Sequence, residues 1–251
     1  MSVLEIVRLR SIKLRNGVLI QGLPGIGLVG KIAVDYIVSE LKLKKVAEGY
    51  SEALLLPIGN AGVLIDDEGI LRLPHYSFYI YEGDERDILF LTGDVQPVSW
   101  LQHKVAEEVL DFFKSVGGVE VVAVCGTTSR EEKRAVYYAA GDGDVAKWLD
   151  QMGFKRSAGG TITGACGLVP AIAARKGFKA YVLMGTALSP EPDPEGGKLV
   201  VEALSKIFRF KVDLSNLDGI IEELKRRQKE VERIRESLEM RKEERRPGYY
   251  V

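Results

Sequence analysis

Apolar residues along the chain fall into two kinds of pattern. Short apolar runs at 17–22, 119–125 and 180–184 read as strands, with 119–125 continuous enough to be a buried one, and 88–92 closes the series of short strands described below. Elsewhere they recur at helical spacing: Ile32, Ala33, Tyr36, Ile37 and Leu41 predict an amphipathic helix over about 29–43. The segments 53–57, 62–66, 70–74 and 77–81 read as further short strands, separated by Gly, Asp and Pro as hairpin turns require. Beyond them helix and strand alternate, with helices over 98–115, 144–152, from after the glycine-rich 157–167 to about 176, and 194–208. Such alternation predicts an α/β fold with a mainly parallel sheet covered on both faces.

The pattern changes after residue 213. From there to Arg246 the only Gly or Pro is Gly219, and Glu, Lys and Arg dominate. Leu217, Leu224, Val231 and Leu238 fall every seven residues, while Ile220 and Ile234 share a second row with Arg227 and Arg241. A heptad stripe on a charged helix results, about 28 residues and ~40 Å long. The interrupted second row disfavours a free-standing coiled coil and favours packing on its own domain or a neighbouring subunit. Ten basic and eight acidic residues between Glu222 and Arg246 alternate in sign, the mark of a solvated ion-paired face.

Composition narrows the function classes. The 251 residues include 35 basic and 36 acidic ones, a net charge of -1, so no global field attracts nucleic acid or an anionic membrane. Arg8 and Arg10 interrupt the first apolar residues, and no run of 18 apolar residues occurs, so the expectation is a cytoplasmic protein. Cys125 and Cys166 sit far apart among small and apolar residues and read first as buried free thiols. Scarce Asn and Gln beside plentiful Lys, Arg and Glu lean towards a thermophile, where intracellular disulfides occur, and this leaves a Cys125–Cys166 bridge open.

The stretch with most chemical suggestion is Gly22-Leu23-Pro24-Gly25-Ile26-Gly27-Leu28-Val29-Gly30-Lys31-Ile32. Gly25, Gly27 and Gly30 have the spacing of a dinucleotide-binding turn, and Gly30-Lys31 resembles the end of a P-loop. A P-loop needs Ser or Thr next, to ligate Mg²⁺, and Ile32 has no donor atom. The partner aspartate would be Asp94, but Thr92-Gly93 turn the chain before it. A dinucleotide site needs an acid closing the second strand, and neither Glu48 nor Glu52 closes an apolar run. The turn, including Gly22 and Pro24, is read as tight strand-to-helix packing, with room for an incidental anion on the helix start.

Other candidates are thin. His75 and His103 lack ligand-spaced partners, so no metal site is expected. Ser129 follows a strand without a nucleophile elbow or a designated base, and Asp142 and Asp144 read as a loop and helix cap. A second cluster, Gly159, Gly160 and Gly164, opens a helix and is read as close packing in preference to an anion site.

Four segments in order form a pattern: the first glycine turn, Thr92-Gly93-Asp94-Val95-Gln96-Pro97, Gly159-Gly160 through Gly164, and Pro192-Asp193-Pro194 leading into 199–208. Together they resemble the proteasome assembly chaperone family in its archaeal single-chain form, over most of 16–210. The resemblance implies a three-layer α/β/α sandwich similar to nucleoside phosphorylases, no catalytic reaction and no cofactor. It also implies that Tyr249-Tyr250-Val251 is a hydrophobic–Tyr–any tail inserting between α-subunits of the 20S proteasome. Tyr249 would supply the hydrophobic contact, Tyr250 the aromatic, and Val251 its carboxylate. The expected organisation is an α/β domain over 1–212, a charged helix over 213–246 and a docking tail over 247–251. Weak single tails favour a homotetramer or homopentamer. The rival reading is an enzyme of the nucleoside phosphorylase, hydrolase or nucleotide-binding type using the glycine-rich cleft.

Overall fold

Continuous burial identifies the centre of the sheet. All six residues of Gly17–Gly22 are buried, as are all seven of Asp87–Gly93, so neither strand shows a face to water. The computed structural model describes residues 2–56, 59–128, 134–224 and 226. Its strands are β1 (Glu5–Arg8), β2 (Gly17–Gly22), β3 (Lys44–Tyr50), β4 (Leu64–Ile65), β5 (Leu71–Arg72), β6 (His75–Glu82), β7 (Asp87–Gly93), β8 (Gly118–Thr128), β9 (Val136–Ala140), β10 (Lys155–Arg156) and β11 (Lys179–Ala187). The named helices are α1 (Val29–Glu40), α2 (Gln102–Ser115), α3 (Gly143–Gln151), α4 (Ala165–Arg175) and α5 (Pro194–Phe208).

Nine strands form one sheet in the order β1-β3-β6-β7-β2-β8-β11-β9-β10, and β4 and β5 form a separate hairpin. The expectation of a mainly parallel sheet holds only at the centre. There β7, β2, β8 and β11 run parallel, whereas β1, β3 and β6 pair antiparallel on one side and β9 runs antiparallel to β11 on the other. The reason is local: β6 reaches β7 through a hairpin, with Glu82 opposite Asp87, and a short loop forces antiparallel pairing. Of the stretch 53–57, expected as a strand, the described residues 53–56 contribute only an isolated bridge between Leu56 and Asn60.

Helices cover both faces in pairs, α1 with α5 and α2 with α4. Alternate residues serve the two sides: Leu19, Leu89, Leu91 and Val121 join the core under α2 and α4 with Val109, Phe113 and Val169. On the other side α1 lies unusually close to the sheet. A Cβ on Gly30 would run into the Val124 carbonyl, and one on Gly22 into the Gly30 carbonyl. Ile32, where a P-loop has its hydroxyl, packs on Gly197 of α5.

Cys125 at the end of β8 is bridged to Cys166 in the first turn of α4. This corrects the first reading of two free thiols: the strand end and the helix start bring residues 41 apart in sequence to a Cα separation of 6.4 Å.

The chain divides into two compact units, Met1–Val212 and Asp213–Val251. In the second, residues 215–224 are helical, and Asp213 accepts from the Ser215 amide at 2.9 Å at the start of that helix. The heptad positions Arg227, Val231, Ile234, Leu238 and Arg241, and the tail Tyr249-Tyr250-Val251, lie outside the described residues, as does Ser129.

Two outcomes are expected. Gly30→Ala should destabilise the fold by about 2 kcal/mol or more through overpacking, although alanine favours a helix; an unchanged urea midpoint would contradict the close approach. Reducing the Cys125–Cys166 bridge should cost about 4 kcal/mol, from the loop it closes, and equal melting temperatures with and without reductant would show that the bridge contributes nothing.

Candidate functional site

The carboxyl ends of the parallel strands are where a fold of this kind presents groups to a ligand. The four sequence segments singled out above meet there. β2 ends at Gly22 and enters α1 through Leu23–Gly25 and a short 3₁₀ turn, Ile26–Leu28. β7 ends at Gly93 and leads into Asp94–Pro97, β11 ends at Ala187 and leads into Asp193 and α5, and Gly159–Gly164 lead into α4.

Gln96 joins two of these segments. Its amide Nε2 donates to the Pro24 carbonyl at 2.5 Å and its Oε1 accepts from the Ala165 amide at 3.1 Å. One neutral side chain therefore locks the first glycine turn to the start of α4 and takes an N–H an anion would use. Gly164 is small because Gln96 lies against it, which is close packing. Gly159 and Gly160 differ from the expectation: nothing lies within 4 Å of a Cβ there, and their φ values of +107° and +116° are the reason for glycine.

Asp193 ties the fourth segment to the same glycine turn. Its carboxylate accepts from the Gly196 amide at 2.9 Å, the Leu188 amide at 3.0 Å and the Arg134 guanidinium at 2.9 Å. Its own amide donates to the Gly27 carbonyl at 2.8 Å. Gly27, at φ +59°, turns that carbonyl towards α5, while a Cβ there would press on Ala187. The glycine turn is thus held from both sides by protein groups. The cleft left beside it, lined by Leu23, Gly25, Gln96, Thr161, Thr163 and the disulfide, measures about 170 Å³. That is below the ~300 Å³ at which small-molecule sites begin.

A shallower groove of about 780 Å³ adjoins it, between Leu55, Asp94, Gln96, Ser99 and Gln102. Asp94 is already engaged, accepting from Arg72 at 2.7 and 3.0 Å and from the His75 amide at 3.2 Å. His75 also stacks on Tyr50, whose hydroxyl donates to Glu48 at 2.7 Å. That hydrogen bond pushes the Tyr50 phenol up to about 12. Glu48, a candidate ribose acid, belongs to β3, which β6 and β7 separate from β2. In a dinucleotide fold that strand adjoins the first, so strand order itself removes the acid from the glycine turn. Lys31 pairs with Asp35 at 2.8 Å, His103 faces Glu107 at 3.9 Å on the exposed side of α2, and Asp142 caps α3 through the Asp144 and Val145 amides. Among the described residues no group of three or more His, Cys, Asp or Glu is arranged to hold a metal, and no helix is long and apolar enough to cross a membrane.

Sequence reasoning quoted Gln96 and Asp193 as parts of motifs without assigning them work. Arg134 and Arg72 gave no signal at all, because each finds its partner only through tertiary contact.

Burial pushes the Asp94 and Asp193 carboxyls up, but the Arg72 and Arg134 guanidinium groups and the backbone amides around them hold both below the usual value. Folded values below the unfolded ones add stability that is complete above about pH 5 and lost as pH falls through the folded values. Stability should accordingly decline from pH 5 towards pH 3, and Asp94→Asn should make that decline shallower. An identical slope in acid urea titrations would contradict the pairing.

Comparison with known proteins places this arrangement in context. A curated relative, an uncharacterized protein of Methanocaldococcus jannaschii, is 30% identical over 92% of this chain and 86% of its own length. Among solved structures, Pyrococcus furiosus PbaB, an archaeal proteasome activator, superimposes with a TM-score of 0.84 at 30% identity, over 92% of this chain and 100% of its own. Pyrococcus furiosus PbaA, an archaeal homolog of proteasome-assembly chaperone, gives a TM-score of 0.75 at 28% identity, over 96% and 98%. The family model matching residues 19–234 is that of the PAC2 family, and this chain belongs to it.

Proposed function

We propose that this protein is an ATP-independent proteasome assembly chaperone or activator, and that it docks on α-subunits of the 20S proteasome through Tyr249-Tyr250-Val251. The observation that carries the reading is the likeness to PbaB along nearly the whole of both chains, at 30% identity. A catalytic alternative finds less support. Gln96 and Asp193 engage the glycine turn, and Ile32 packs where a metal-binding hydroxyl would stand. The enclosed cleft beside the turn is small, while the groove of about 780 Å³ that Pro24, Gly25 and Leu28 also line is shallow. We therefore read the protein as a non-enzyme without a cofactor, working in the cytoplasm of a thermophilic archaeon, with proteasomal α-subunits as partner.

In this reading residues 1–212 form the platform, an α/β/α sandwich of the nucleoside phosphorylase kind. Residues 213–246 form a charged heptad helix that projects or pairs, and 247–251 are the docking tail. Tyr249 fills an apolar pocket between α-subunits, Tyr250 supplies an aromatic face with a hydroxyl, and the Val251 carboxylate meets a basic group. Burying one large side chain contributes roughly 1.5–3 kcal/mol, and ordering the tail offsets much of that. A homotetramer or homopentamer presenting several tails on one face raises avidity by roughly 10²–10⁴.

The test compares the intact chain with one lacking residues 249–251 in pull-downs on purified α-rings and 20S particles. The truncated chain should keep its fold and lose most of its retention. Equal retention by both would overturn tail docking.

A further inference from the structure

The hairpin β4–β5 is built inside out. Ile65 pairs with Leu71 and Leu64 with Arg72, so Ile65 and Leu71 share one face of the ribbon, and period-two alternation adds Val63 and Leu73 to it. That face is turned to water: Ile65 is 68%, Leu71 66%, Leu73 56% and Val63 45% exposed. The opposite face carries Arg72, which is clamped on Asp94 of the domain. A hairpin of two two-residue strands is marginal by itself. Here its other face, which carries Leu64, Ile70 and Arg72, is anchored through the Arg72–Asp94 pair, and the four aliphatic side chains of the first face point outward. Single exposed apolar residues are ordinary, but a contiguous set on one face marks an interaction surface.

Charge narrows the occupant. The tip, Asp66-Asp67-Glu68-Gly69, is acidic; Asp66 stabilises the turn by accepting from the Glu68 and Ile70 amides. Asp67 and Glu68 have no basic side-chain partner among the described residues. The complement lies on the same molecule at another place. β1 is an edge strand paired only with β3. It exposes Glu5, Val7 and, just beyond its end, Leu9; Glu5 is its one acid, and the following run Arg8–Arg15 holds Arg8, Arg10, Lys13 and Arg15 with none. Arg8 turns away over the Phe112 ring and Arg15 is engaged by Asp87, which leaves Arg10 and Lys13 without an acidic partner among the described residues. Pairing like with like would oppose two acidic tips or two basic edges, an unfavourable arrangement.

We propose that the occupant of the hairpin is a second copy of this chain: the acid-tipped apolar face of one subunit docks on the basic, apolar β1 edge of the next. This rests on the homo-oligomer of the preceding section and names its contact. Two different patches meet, so the contact is heterologous, and repeated around an axis it closes a ring with all subunits pointing the same way. The four hairpin aliphatics alone fall short of the ~1,200 Å² buried in a stable interface. The open backbone and the side chains of the β1 edge supply the remainder.

The test uses the full chain and reads subunit number by native mass measurement and light scattering. The single variant Ile65→Asp should keep the subunit's fold, read as an unchanged far-UV circular dichroism spectrum, since the side chain is 68% exposed in the isolated chain. It should raise the subunit dissociation constant by ~tenfold or more, about 1.4 kcal/mol or greater. Val119→Asp, a similarly exposed residue on β8 outside both patches, should change nothing. Asp67→Lys with Glu68→Lys should weaken assembly, and adding Arg10→Glu with Lys13→Glu should restore it. Wild-type-like assembly of the hairpin variant, or no recovery on double reversal, would overturn this contact while leaving the homo-oligomer standing. A wild-type chain that is monomeric at every concentration tested would instead remove the homo-oligomer itself.

Discussion

The close seating of α1 on the sheet is the constraint from which the rest of the first unit follows. Backbone meets backbone at Gly22 and Gly30 because neither residue has a Cβ, and the helix start is thereby drawn down between β2 and β8. With the helix at that depth, Ile32 reaches Gly197 of α5 and couples the helices on that face. The same depth brings the Gly27 carbonyl within reach of the Asp193 amide. Gln96 then spans from Pro24 to the start of α4 on the other face, where the disulfide ties α4 to β8. Both helical layers are thus referred to one turn. The glycines that suggest a phosphate cradle by spacing serve instead to let protein pack on protein.

The parts of the fold legible in the sequence are those decided by burial on both faces. The runs that became β2, β7, β8 and β11 are mostly apolar, with Gln21, Thr92 and Glu120 among the exceptions, and that majority was enough to mark them as strands. Of the flanking strands, β6 was legible from 77–81, whereas β1, β3, β9 and β10 were not. β3 begins Lys44-Lys45 and contains Glu48, because one side of it faces polar partners, and β1 interleaves Val7 and Ile6 with charge. The hairpin turns expected among the short strands agree with the antiparallel β6–β7 pair, but alternation of helix and strand speaks for direction only where a helix intervenes, so it overstated how far the parallel pairing extends. The stretch 53–57 was read as a strand from its apolar character alone, and its neighbours provide no ladder for it.

At the site, the glycine positions were legible and their partners were not. Spacing identified a strand-to-helix turn but could not tell an empty turn from one filled by Gln96, since that contact joins residues 72 apart. Strand order decided the fate of Glu48, and strand order is a property of the whole chain. The bridge between Cys125 and Cys166 likewise depended on β8 and α4 meeting at their ends. The outward apolar face of the hairpin was visible only as two short strand candidates; that their alternation is inverted relative to the domain required knowing which face Arg72 anchors.

A scaffold whose glycine turn is engaged by its own side chains, with apolar and charged surfaces left exposed, is suited to binding other chains, and the proposal of proteasome docking through the last residues is the claim to test. Its most direct measurement places a photocrosslinking aromatic residue at position 250 of the full chain, mixes it with 20S particles and maps the products by mass spectrometry. Tail docking predicts crosslinks confined to the pockets between adjacent α-subunits. Stable association with the particle but crosslinks only within this protein, or none at all, would contradict it.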